Sequence, residues 1–426
     1  MSRLKQYLEY KDSGIEWLGK IPGHWKKMKL SRLFKEIGSG GTPDSTNKSY
    51  HVDGSIKWIN TGDLNDGYLN DTKNKITQLA LNEVSTLRIY PKNSLVVAMY
   101  GATIGKLAIT NIKGAANQAC CVLTDPINTR VKFMFYWFLA NREDIINSAS
   151  GGGQPNISQS LIRSLSVFLP SSLHEQDSII QFLDDKTSEI DALISYKERL
   201  IELLEEKRQA VITETVTKGL DPNVKMKDSG VEWIGEIPDH WETVKFKRLI
   251  KVMNGKEIEN ELNFDSEDAI DVYGSGGVFK KTDKYIFDGE SVLFGRKGTI
   301  GKPIYVNQPF WTVDTMYYTH FYKGASPKWF YFLFCIFPWA IHTTNTALPS
   351  LVGSDIENDI LAVPSYEEQV KIVDHLEKET SGIFDVISET KTQISKLKEY
   401  RESLIYEAVT GKIDVRNYAP ETEELH

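Results

Sequence analysis

Only three cysteines occur in 426 residues, Cys120, Cys121 and Cys335, and none forms a CxxC pair. That excludes a disulfide framework and a cysteine-bound structural zinc, and it suits a reducing compartment, so a cytoplasmic location is expected. Long apolar runs are missing too. The longest, residues 329–341, is too short to span a bilayer and contains Pro338, so it reads as buried core and no membrane partner is expected. The opening MSRLKQYLEYKDSG lacks the basic, apolar and small-residue succession of a signal peptide. Eight histidines and the scattered carboxylates show no helical metal-ligand spacing.

Catalytic motifs are absent as well. There is no Asn/Asp-Pro-Pro-aromatic segment for base methylation and no convincing Gly-rich strand-to-helix turn for S-adenosylmethionine. The nearest approach to a phosphate loop, Gly101-Ala102-Thr103-Ile104-Gly105-Lys106, has too few residues between its glycines. Leu107 stands where Ser or Thr would hold magnesium, and the related turn at residues 298–302 fails the same test. The chain is therefore expected to hold no catalytic, cofactor or metal site of its own.

An overall excess of positive charge is also lacking: the net charge is −8. Divided along the chain, however, residues 1–172 carry 21 Lys and Arg against 13 Asp and Glu, a net +8, while residues 173–219 and 220–365 are each −5 and residues 366–426 are −6. The first part is basic enough to approach a phosphate backbone, although uneven solvated charge without a ligand is the plain alternative.

What the sequence does contain is a duplication. Residues 11–35, KDSGIEWLGKIPGHWKKMKLSRLFK, align without a gap on residues 227–251, KDSGVEWIGEIPDHWETVKFKRLIK, with 15 of 25 positions identical. Thr103-Ile104-Gly105-Lys106 recurs as Thr299-Ile300-Gly301-Lys302, and the aromatic run 133–138 faces 329–334. The Glu175-Gln176 pair corresponds to Glu368-Gln369. The offset falls from 216 to 196 between the first two anchors, so the first copy holds about 20 extra residues between Lys35 and Asn93. One scaffold presenting two different surfaces has this pattern.

Each copy ends in a heptad pattern: Leu183, Ile190, Leu204 and Val211 with Ile180, Ile194 and Ile201, then Leu376, Ile383, Leu397 and Leu404 with Val373, Ile387 and Ile394. A helix over 172–217 would run about 65–70 Å. Two such helices in one chain are expected to pair antiparallel, although each packed on its own domain is the simpler possibility. The fold expected is α+β, with two globular domains joined by two long antiparallel helices in a pseudo-two-fold repeat. The boundaries are 1–172, 173–219, 220–365, 366–412 and a tail at 413–426.

The repeated DSGIEWLGKIPGHW and DSGVEWIGEIPDHW resemble the start of the recognition domains in specificity subunits of type I restriction-modification systems. The helix endings EKRQAVITETVTKGLD and EYRESLIYEAVTGKID are similar to that family too. The resemblance covers nearly the whole chain. It implies that each domain reads one half of a split, asymmetric site in double-stranded DNA, and that the helices hold two methyltransferase subunits. Restriction and translocase subunits can join such complexes. S-adenosylmethionine, ATP and magnesium serve those partner subunits and not this chain. Partner-facing positions expected on the helices are Ile190, Ile194, Leu204, Ile383, Ile387 and Leu397.

Candidate DNA-binding residues follow from the chemistry of readout. Backbone amides, Lys, Ser and Thr suit phosphates, whereas Arg, Lys, Asn and Gln pair with base edges. In the first copy these are Ser39, Gly40, Thr42, Asn60, Thr61, Tyr100, Thr103, Lys106, Asn117, Gln118 and Gln154. In the second they are Ser275, Arg296, Lys297, Thr299, Lys302, Thr344 and Asn345, with Arg296 and Lys297 foremost. Gly-rich loops are also ordinary turns, and that reading stays open for each. Trp17, Trp25, Trp233 and Trp241, the aromatic runs and Cys120-Cys121 read as core. A stand-alone DNA-binding regulator, a coiled-coil adaptor without DNA and a self-contained nuclease or methyltransferase are the rival classes.

Overall fold

The computed structural model describes residues 5–15, 18–149, 156–266, 269–344 and 349–419. The chain forms two compact units, one of residues 1–196 with 393–426, the other of residues 197–392. Each unit thus contains one β-rich domain, the first half of one long helix and the last half of the other.

In the first unit a five-stranded sheet runs in the order Phe34–Ser39, Cys120–Pro126, Leu95–Ala98, Leu107–Thr110, Gly67–Leu69. All neighbours are antiparallel except the last pair. Leu95–Ala98 and Leu107–Thr110 are buried at every position, which is why they read as continuous apolar runs instead of alternating ones. One face meets the aromatic helix Val131–Ala140. A core cluster with Ile59, Tyr90 and Ala116 joins the sheet to a four-stranded sheet of Asn74–Ile76, Ile56–Ile59, Gly114–Ala116 and Ile89–Tyr90. Cys120 lies in this core and Cys121, next to it on the strand, is also buried; burial pushes both thiols up to about 12, so neither is a nucleophile at neutral pH.

The second unit repeats the larger sheet with four strands, Ile250–Asn254, Met316–Phe321, Glu290–Gly295 and Ile304–Asn307. Its smaller sheet has three: Gly277–Thr282, Ile270–Gly274 and Phe310–Thr312. The excess in the first copy appears as the added strands Gly67–Leu69 and Ile89–Tyr90 and the helix Gln78–Glu83.

The heptad segments form helices Leu173–Lys218, of 46 residues, and Tyr366–Val409, of 44. Within the first unit the start of the first helix lies antiparallel to the end of the second. Arg401 pairs with Asp191 at 2.9 Å, and the ring of Tyr418, beyond the second helix, meets Phe182 at 5.1 Å. In the second unit the same arrangement recurs, since a Cβ on Gly219, just past the first helix, would lie 3.2 Å from the Glu368 carboxylate near the start of the second.

The stripe expected to meet partner subunits is turned inward: Ile190, Ile194, Ile383 and Ile387 are buried, and Leu204 and Leu397 are half-buried. Part of the stripe packs on the domain, since Val373 and Leu376, with Val211 against them, join the second unit's core with Trp329 and Phe330. Leu193, Leu203, Phe384 and Val386 form the exposed apolar surface instead.

The Glu-Gln pair explains the shared frame. Gln176 is buried. It accepts from Arg130 N at 2.9 Å and Thr129 Oγ1 at 3.3 Å, and its amide donates to Asn128 O and Pro170 O at 3.3 and 3.1 Å. Gln369 does the same in the second unit, accepting from Ser326 N at 2.8 Å and donating to Gly324 O and Pro364 O at 3.1 Å. Glu175 and Glu368 each accept from a tryptophan indole, Trp25 and Trp241, at 3.0 Å, with Nε2 of His24 and His240 2.8 and 3.0 Å away. Trp25 and Trp241 are therefore core, tied to the long helices. Trp233 is half-buried against Phe337, and Trp17 lies outside the described residues.

Candidate nucleic-acid interface

In the first unit the strand Phe34–Ser39 delivers the chain into a loop that only glycine permits. A Cβ on Gly40 would fall 1.6 Å from Ala116 O. Gly41 N donates to the same carbonyl at 2.9 Å, and Trp58 Nε1 donates to Gly41 O at 3.2 Å. Asn117 Nδ2 donates to Thr42 Oγ1 at 3.0 Å, while Asn117 N donates to Ile59 O at 2.8 Å, beside Asn60. Asn60 and Thr61 open a short 3-10 turn, Thr61–Asp63, whose Asp63 carboxylate accepts from Asn60 N at 2.8 Å. Met99 N donates to Ala119 O and Ile157 N to Met99 O, both at 2.8 Å, which brings the hairpin tip with Tyr100, Thr103 and Lys106 to the same end of the sheet as Asn117 and Gln118. Residues far apart in sequence are thus gathered at one sheet end. Gln154 lies outside the described residues.

Beneath this loop four polar side chains hold the sheet's edge, none of them singled out by the sequence. Gln159 Nε2 and Arg163 Nη1 donate to Ile37 O at 2.7 and 3.0 Å. Arg88 pairs with Glu36 at 2.7 Å and donates from Nε to Tyr90 OH at 2.6 Å, which in turn donates to Ser39 O at 3.0 Å. Burial raises the Tyr90 phenol, so it stays a neutral donor at neutral pH. An edge strand leaves carbonyls unpaired, and these groups pair them.

The second unit builds the corresponding end from different residues. Gly255 takes the place of Gly40, since its Cβ would fall 2.0 Å from Val313 O. Lys256 takes that of Gly41, with its N donating to Thr312 O at 2.9 Å and its O accepting from Trp311 Nε1 at 2.8 Å. Lys256 is exposed. The sequence has no glycine run here, only Asn254-Gly255-Lys256, so no local pattern marks this loop. Arg296 N and Lys297 N both point to Thr315 O, at 2.8 and 3.2 Å, and Arg296 O accepts from Leu351 N at 2.9 Å. The Arg296 guanidinium stands 5.6 Å from the centre of the Tyr317 ring. Lys297 bridges to Ser350, which Thr344 holds through its N at 2.9 Å. A Cβ on Gly295 would lie 2.2 Å from Thr299 O and 3.6 Å from Ser275 Cβ, which places those two residues side by side. Lys302 follows Gly301, which faces Trp339 on the domain side, and Asn345 lies outside the described residues.

No group of three or more His, Cys, Asp or Glu among the described residues is arranged to hold a metal ion, and no described helix is long and apolar enough to cross a membrane. What converges in both units is hydrogen-bonding and cationic groups on loops at one sheet end.

The family model for the type I restriction modification DNA specificity domain matches twice, over residues 22–205 and 238–396. The type I restriction enzyme MjaVIII specificity subunit of Methanocaldococcus jannaschii is 23% identical over 93% of this chain and 95% of its own length. The EcoprrI specificity subunit of Escherichia coli is 24% identical over 93% and 94%. Among solved structures, a chain from a study of complex assembly and conformational transition of the type I R-M system superposes with a TM-score of 0.72, at 13% identity over 92% of this chain and 99% of that one. The HsdS subunit from Thermoanaerobacter tengcongensis gives 0.53, also at 13% identity, over 94% and 100%. With two matched regions, two β-rich domains and two long helices, this chain belongs to the type I restriction-modification DNA specificity subunits, the non-catalytic, sequence-reading part of those systems.

Proposed function

We propose that the two β-rich domains each read one half of a split, asymmetric double-stranded DNA site, and that the long helices carry two methyltransferase subunits. The observation that carries this reading is the convergence, in both units, of loops from separate strands around a glycine whose Cβ would collide with a backbone carbonyl, Gly40 and Gly255. Around the first stand Ser39, Thr42, Asn60, Thr61, Asn117 and Gln118. Around the second stand Lys256, Ser275, Arg296, Lys297 and Thr299. Asn, Gln and Arg supply bidentate base contacts, and backbone amides with Ser, Thr and Lys supply phosphate contacts. The different residues in the two units make the halves of the target different. Domain limits of 1–172 and 220–365, with spacer helices between and after them, belong to the same proposal.

S-adenosylmethionine, ATP and magnesium belong to the partner subunits. Restriction and translocase subunits join the same complex. Co-expression with the cognate methyltransferase, followed by genome-wide mapping of modified adenines, tests the reading. A bipartite, non-palindromic motif is expected. DNA binding without any methyl mark would instead identify a stand-alone regulator.

A further inference from the structure

Five cations crowd one short stretch of the first unit, Lys26, Lys27, Lys29, Arg32 and Lys35, and all five are exposed. No ion pair engages any of them among the described residues; the Lys27 ammonium lies 5.5 Å from the centre of the Phe168 ring. The strand Lys26–Lys29 pairs with Ser166–Leu169, and Leu30 N donates to Leu165 O at 2.9 Å. Directly before that strand, the helix Gln159–Ser164 sends Arg163, also exposed, to Ile37 O on the edge strand. The edge strand then ends in the Ser39–Thr42 loop. The cations therefore form a ridge that leads to the recognition loop.

The second unit supplies an internal control. In the aligned frame, residues 26–35 and 159–165 carry six positive charges and no negative one. Their counterparts, residues 242–251 and 353–359, carry Lys245, Lys247, Arg248 and Lys251 against Glu242, Asp355, Glu357 and Asp359, a net of zero. Glu357 stands in the place of Arg163. Its carboxylate accepts from Val252 N at 2.8 Å and lies 3.4 Å from Lys251, so the sign at the edge strand is reversed.

We propose that this ridge is a phosphate-binding track for duplex DNA beside the recognition bases, and that the first unit supplies most of the salt-sensitive affinity of the chain. The inference rests on the reading of the chain as a DNA reader. Lysine is depleted from protein–protein interfaces, whereas it is a common phosphate contact, so a polyanionic backbone fits this surface better than a protein does. Backbone contacts carry no sequence information, so the track adds affinity without altering the motif.

The test uses the complex assembled with its methyltransferase subunits. Duplex binding is measured over a salt series for the wild type, for Lys26→Gln/Lys29→Gln/Arg32→Gln combined, and for Lys29→Gln and Arg32→Gln singly. Each lost phosphate contact lowers the slope of log K against log salt by about 0.9, so the triple variant should lose about 2–3 and each single variant up to about 0.9. Affinity near physiological salt should fall at least about tenfold in the triple variant, with the methylated sequence unchanged. A slope equal to wild type overturns the proposal, as does an unchanged slope with loss of the methyltransferase subunits, which would make the ridge a protein contact. If the wild-type complex neither binds nor modifies DNA, it is the underlying reading that fails.

Discussion

At equivalent places along the two long helices, the first unit has Asp191 and the second has Phe384. Asp191 pairs with Arg401 from the other helix, whereas Arg208, the counterpart of Arg401, turns to Glu205 on its own helix at 2.9 Å and Phe384 stays exposed. By contrast, Gln176 and Gln369 make matching bonds, as do Trp25 and Trp241. Groups that close the frame have been retained in both copies. Groups facing solvent or a ligand have diverged. The comparison separates scaffold from specificity without any second sequence.

Substitution can break that comparison, and the largest effect belongs to the frame. Gln176→Ala and Gln369→Ala each leave several buried backbone groups unpaired, at about 1–3 kcal/mol for each group. A loss of about 3 kcal/mol or more is expected from either, measured by denaturant unfolding. A large loss in one unit and none in the other would show that the two frames are not equivalent.

Next comes the loop glycine. Gly40→Ala and Gly255→Ala push a methyl into Ala116 O and Val313 O, so each loop must move. Plasmid modification by the reconstituted complex should fall at least about tenfold for each, because about 1.4 kcal/mol of displaced contact is enough for that factor. Arg296→Ala should weaken binding by about 1–3 kcal/mol and relax the motif at one base position in one half only. Uniform weakening with the motif intact would make Arg296 a phosphate contact.

The smallest effect sharpens the helix comparison. Gly382 sits inside the second helix, with nothing within 4 Å of a Cβ, where the first helix has Glu189. Gly382→Ala should therefore stabilise the chain by about 0.5–1 kcal/mol. A loss of stability there would point to a bend or a close approach in that helix.

The long-period features of this fold were legible in the sequence for physical reasons. A heptad stripe repeated over about thirty residues admits few structures, and it lies within the helices Leu173–Lys218 and Tyr366–Val409. A duplicated segment with Trp and Pro at fixed spacing must be packed alike twice. Ile190 and Ile383 of the stripe are buried, which a heptad pattern alone does not distinguish from a partner-facing position. Short-range features gave less. Glycine-rich runs marked the sheet-end loop of the first unit, yet Asn254-Gly255-Lys256 performs the same turn with a single glycine. Arg88, Gln159 and Arg163 support the edge strand across separations that no local pattern encodes. Arg296 and Lys297 stood out within the acidic residues 220–365, but Lys256, which folding brings to the same sheet end, carries no local mark.

The central claim is that each unit reads its own half of the target. Residues 1–172 can be exchanged for the corresponding part of another specificity subunit of known motif, and the modified adenines then mapped in cells that carry the cognate methyltransferase. The account predicts a bipartite motif in which one half changes to that of the donor and the other half stays as it was. A motif that changes in both halves, or a short continuous palindrome, would contradict it.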